Sequence, residues 1–123
     1  MTFALVALLG GVGAATRFVV DGLIRGRSSH RLPVATITIN VSGSALIGLI
    51  LGAHLYHGLG QGWQVVAATG FCGGYTTFST AMVETVRLAQ GGDVRRAVVN
   101  AVGSFLLALG AVSLGILLMW VAA

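Results

Sequence analysis

Few side chains in this sequence are of types suited to chemistry, and several of those stand inside long apolar stretches. Arg17 is the one charge among residues 1–20. A cation inside an apolar span is costly and marks an ion path or a charged partner. Asp21 and Arg25 follow it at i+4 and i+8, so an ion-pair ladder at a helix end is a second reading, compatible with the first. Asn40 sits between Ile39 and Val41, and its amide suits donation to an anion or an interhelical hydrogen bond to a neighbouring subunit. Asn100 and Ser104 are spaced i, i+4 and share one helix face, where polar side chains join helices.

The most informative segment is GFCGGYTTFST, Gly70 to Thr80. Gly73-Gly74 followed by Thr76-Thr77 is poor helix material, so a break near the middle of this span is expected. Broken backbone at membrane depth must line protein or a water-filled cavity. It turns N–H groups toward anions and freed carbonyls toward cations. An unbroken helix whose glycine pair serves packing is the alternative. Phe78, taken alone, is a packing residue. Glu84 and Arg87 (i, i+3) suit an interfacial ion pair, and His30, His54 and His57 fall at span ends with no metal role. The sequence shows no nucleophile–base motif, paired carboxylates or metal-ligand cluster, which points away from an enzyme. Cys72 is the single cysteine, so no intrachain disulfide forms.

The elements that must position these residues follow from composition. Of 123 residues, 56% are hydrophobic and ten are charged, seven Arg and three acidic; the mean hydropathy is +0.95. A soluble domain carries roughly 25% charged residues, so this is an integral membrane protein. Between Arg31 and Glu84 lie 52 residues without Asp, Glu, Lys or Arg, and residues 97–123 carry no charge. Since about 20 apolar residues cross a bilayer, four spans are expected, at about 2–23, 33–56, 63–88 and 97–121. Pro33 suits the first turn of the second span. The N-terminus lacks the basic start of a signal peptide and begins the first span. The connectors are short, so consecutive helices are antiparallel neighbours in one all-α domain, 1–123. Gly48-xxx-Gly52 and Ala111-xxx-Gly115 provide small-residue faces for close helix packing.

Six of the seven Arg residues (25, 27, 31, 87, 95 and 96) lie in or beside the first and third connectors, and the middle connector has none. The positive-inside rule puts those two connectors in the cytoplasm and both termini outside. The basic balance therefore reports membrane orientation. A nucleic-acid partner would need cations clustered on a solvated face.

With these residues in view, the sequence resembles the CrcB/Fluc fluoride channel family. The third-span motif carries most of the resemblance. GGVGAATRF (Gly10 to Phe18), Pro33 to Asn40 followed by Val41-x-Gly43, and Glu84-Thr85-Val86-Arg87 extend it over essentially the whole chain. The resemblance implies an antiparallel dimer with two fluoride pores in the cell (inner or plasma) membrane. It also implies a structural sodium ion held by backbone carbonyls, which maps onto Gly73 and Thr76. Asn40 then corresponds to a pore-lining Asn, and Phe78 to the first of two pore phenylalanines, whose electropositive ring edge can face an anion. Asn100 and Ser104 match a polar track beside the pore, and Arg17 an anion-attracting charge at its mouth. Four short helices leave little room for a pore among themselves, which independently favours one formed between subunits.

Two departures stand out. Where the family has its second Phe and a following Ser, this chain has Ala81 and Met82. Its Arg bias also opposes the balanced connectors that dual topology requires. A homologous second subunit of opposite orientation would answer both, and a non-conducting partner role is the alternative. A small multidrug exporter is the rival class, but it needs a titratable carboxylate within the first span, where none precedes Asp21.

Overall fold

The computed structural model describes residues 1–30 and 32–123; Arg31, one of the six connector arginines, lies outside the described residues. Among the described residues, three helices are long and apolar enough to cross a membrane: α1 (Thr2–Arg25), α2 (Val34–Tyr56) and α5 (Val94–Val121). Between α2 and α5 the chain forms a bent element. Its first arm, α3, is continuous helix made of Gln61–Val65, the wider-wound π segment Val66–Cys72, and Gly73–Tyr75. Its second arm is α4 (Phe78–Gln90). No strand occurs among the described residues.

The boundaries follow from local chemistry. Pro33 caps α2 from outside, one residue earlier than its expected place in the first turn. Gly58 and Gly92 take positive φ in the turns after α2 and α4, a conformation that costs glycine little. Asp93 caps α5 by accepting from the Arg96 N–H and pairs with the Arg96 guanidinium.

Packing is dominated by glycine. α2 lies mainly on α5, α1 on α3, and α4 on α5. A Cβ on Gly48 would run into the Val112 backbone, and one on Gly115 would stand 2.6 Å from the Ala45 carbonyl oxygen. These two positions of the small-residue faces are therefore contact points. α1 and α3 meet the same way: Gly13 abuts the Phe71 carbonyl, and Gly74 abuts the Gly10 backbone. The glycines of GGVGAATRF and those of GFCGGYTTFST are two sides of one contact. The buried apolar set is small (Ala35, Ile39, Val66, Cys72, Ala81, Ala97), while Phe3, Phe18, Phe78, Phe105 and Leu106 are exposed. Such an inverted distribution is natural where lipid is the solvent and close approach replaces hydrophobic burial.

Candidate functional site

The bend falls at Thr76–Thr77, two extended residues between helical arms. Within the stretch expected to break, Gly73-Gly74 is helical, with Gly73 at φ −62° and Gly74 packed on α1, and the threonines carry the bend. Both sequence readings thus hold in part: the element does break, and the glycine pair does serve packing. The two threonines have opposite tasks. Thr76 closes α3, its N–H and hydroxyl both donating to the Cys72 carbonyl at 2.9 Å. Thr77 opens α4, its hydroxyl accepting from the Thr80 N–H at 3.2 Å. Gly43 on α2 makes room, since a Cβ there would overlap the Thr76 methyl group.

Asn40 holds the break. Its Nδ2 donates to the Thr77 carbonyl and its Oδ1 accepts from the Thr77 N–H, both at 2.8 Å. An extended residue thus finds both backbone partners on one side chain. The amide expected to face an anion has one N–H committed to Thr77, and its second N–H is the one left for a ligand. The partner is in the same chain and not, as the alternative had it, in a neighbouring subunit. In an unbroken helix the Thr77 N–H would bond the Gly73 carbonyl; here it is turned to Asn40 instead.

Arg17 reaches the same point from α1, its Nη1 donating to the Thr76 carbonyl at 3.2 Å. A cation at the carbonyl end of α3 also meets the negative pole of that helix. The ladder expected from spacing is real one turn later. Arg25 pairs with Asp21 at 2.7 Å and, across helices, with Glu84 at 2.7 Å. Glu84 therefore pairs with Arg25 and not with Arg87, because α4 turns its side chain toward α1. One carboxylate oxygen of Glu84 stays buried without a partner.

Two open grooves flank the break, and Thr77 lines both. One, of about 290 Å³, is bordered by Arg17, Phe18, Thr36 and Thr80. The other, of about 430 Å³, is bordered by Asn40, Ser44, Thr76, Phe78, Ala81, Met82 and Ser104. The second groove gathers Asn40, Phe78, Ser104 and Thr76; Phe78 is 78% exposed there. Asn100 lies behind it, 2% exposed, donating to the Thr85 hydroxyl at 2.8 Å and within 3.5 Å of the Ser104 hydroxyl. Gly73 is exposed and lines neither groove. The sequence reading gives Thr77, Thr85 and Ser44 no site role. The one available signal was that Thr77 follows a helix-ending Thr and stands three residues before Thr80, as a capping residue does.

Comparison with known proteins shows the family. The family model described as "CrcB-like protein, Camphor Resistance (CrcB)" matches residues 4–116. The chain belongs to that family. Among its relatives is a "Fluoride-specific ion channel FluC 1" of Leifsonia xyli subsp. xyli, 50% identical over 90% of this chain and 81% of the relative. A "Fluoride-specific ion channel FluC 2" of Cutibacterium acnes is 45% identical over 96% of this chain and 97% of its own. A "Fluoride-specific ion channel FluC" of Paramagnetospirillum magneticum is 42% identical over 94% and 92%. The CrcB match includes most of α1, all of α2, both arms of the bent element and most of α5. The chain is a multi-pass membrane protein of a channel family and not an enzyme.

Proposed function

We propose that this chain is a subunit of a fluoride channel that lowers cytoplasmic fluoride by passive efflux. The observation that carries the reading is the break at Thr76–Thr77, pinned by Asn40 between two grooves. It brings together the two poles an ion pathway needs. The first amides of α4 have no helical acceptor and attract an anion, while the last carbonyls of α3 have no helical donor and attract a cation. Fluoride then passes along the larger groove, meeting the free N–H of Asn40, the ring edge of Phe78 and the hydroxyl of Ser104. Asn100 orients Ser104 from behind. Arg17 draws anions into the smaller groove and neutralises the Thr76 carbonyl. A negative-inside potential drives the anion outward, each charge worth about 2.3 kcal/mol per 100 mV.

Of the two carbonyls to which the family's sodium ion maps, Gly73 fits a cation better than Thr76. The Gly73 carbonyl loses its helical donor to Asn40, and hard cations take such oxygens, whereas the Thr76 carbonyl already accepts from Arg17, whose charge would stand beside the ion. Bound there, the ion supplies fixed positive charge. Two carbonyls are fewer than a cation needs, which favours a second copy or a homologue across a dimer interface. In this reading α3 and α4 together make the third of four crossings, within a single domain, residues 1–123, in the cell membrane with both termini outside.

A second reading, a non-conducting partner subunit, rests on the groove wall. Ala81 and Met82 stand there, and neither offers a ring edge. A carboxylate within a span, which a multidrug exporter needs, is missing from α1 before Asp21. Cells deprived of their own fluoride exporter test the proposal. Growth on fluoride is expected to return when this chain is expressed, alone or with a homologue. Continued fluoride sensitivity in both cases, with the chain present in the membrane, would contradict it.

A further inference from the structure

At the arginine-rich end of the molecule, away from the break, three surface grooves join into one band. The first lies between Arg87 and His30, the second between His30 and Arg96, and the third between Arg96 and Arg95. Each shares a residue with the next, His30 and Leu32 between the first two and Arg96 between the last two. The middle groove, of about 390 Å³, is walled by His30, Leu32, Val34 and Arg96. The band is thus apolar along its floor and cationic at its rim. Its two carboxylates pair with arginines, Glu84 through one oxygen with Arg25 and Asp93 with Arg96.

We propose that this band binds the headgroup of an anionic phospholipid, with the phosphate between Arg87, His30 and Arg96 and the upper acyl chain on Leu32 and Val34. Three facts favour a lipid as the occupant. The band lies at the ends of α2, α4 and α5, two of which are long apolar helices, so it stands at headgroup depth. Its rim has the charge that matches a phosphate. Its floor continues into the exposed apolar side of α5, where Val98, Val99 and Val102 face outward. Basic grooves between helices at a cytoplasmic surface have this recognised chemistry. The site is separate from the ion path, since none of its residues lines either groove at the break except Arg25.

Native mass spectrometry of the purified full chain, offered phosphatidylglycerol and phosphatidylcholine together, tests this. Retention of phosphatidylglycerol is expected to exceed that of phosphatidylcholine. Arg87→Gln is expected to cut the preference about fivefold, the equivalent of roughly 1 kcal/mol for one arginine near an anionic lipid. Arg27→Gln removes the same charge from a residue outside the band, and it is expected to leave the preference intact. Both positions are exposed, so folding is preserved. A large excess of inorganic phosphate is expected to leave the lipid in place. Equal retention of the two lipids, equal loss in both variants, or displacement by phosphate would each overturn the proposal.

Discussion

Replacing Asn40 by Ala leaves the N–H and the C=O of Thr77 without partners at the bend, and an unmade buried hydrogen bond costs roughly 1–3 kcal/mol. Asn40→Asp keeps an acceptor for the Thr77 N–H but has no donor for its carbonyl. Thermal resistance in detergent is therefore expected to fall in the order wild type, Asp, Ala, with fluoride flux reduced in both variants. Unchanged flux in Asn40→Ala would show that the Asn40–Thr77 pair is unnecessary for conduction. The sequence marked Asn40, Arg17 and Asn100 as polar groups out of place among apolar neighbours. It did not show what they touch, because the partners lie 37, 59 and 15 residues away. Glu84 illustrates the limit. Helical spacing favoured Arg87, but the tertiary partner Arg25 prevailed because the i, i+3 contact gains only a few tenths of a kcal/mol, about 0.2–0.5.

At the scale of elements, the sequence shows the third span broken within Gly73 to Thr77, but not that the threonines and not the glycines carry the bend. Glycine weakens a helix, yet Gly74 is retained in one because it lets α1 approach, and the β-branched pair after it finds better partners outside the helix. The π segment Val66–Cys72 had no sequence signal, since its residues are ordinary small and apolar types. Glycine positions separate into contact and open classes, and this gives a sharp comparison. Gly74→Ala is expected to destabilise the protein by about 1–3 kcal/mol, as overpacking does, because the new methyl meets the Gly10 backbone. Gly103→Ala on α5 has open space at its Cβ and is expected to stabilise by roughly 0.5–1 kcal/mol through helix propensity. Equal thermal shifts for the two substitutions would contradict the packing described for α1 and α3.

For the whole molecule, the groove beside the break is open on one side, and Phe78 is exposed within it. A pore wall must come from elsewhere. Long apolar stretches made the membrane-crossing helices readable; in the proposed dimer the second wall would belong to another chain, which one sequence does not describe. Ala81 is 7% exposed and faces this groove, so Ala81→Phe is expected to raise fluoride flux of the chain alone several-fold if a missing aromatic limits conduction. No gain, with the protein still folded, would assign the wall to other residues. The most direct measurement is fluoride efflux from liposomes containing the purified chain, with and without a co-purified homologue. Fluoride efflux without comparable chloride efflux is expected in at least one of the two preparations. Fluoride efflux no faster than from protein-free liposomes in both would contradict a channel subunit built on the Thr76–Thr77 break.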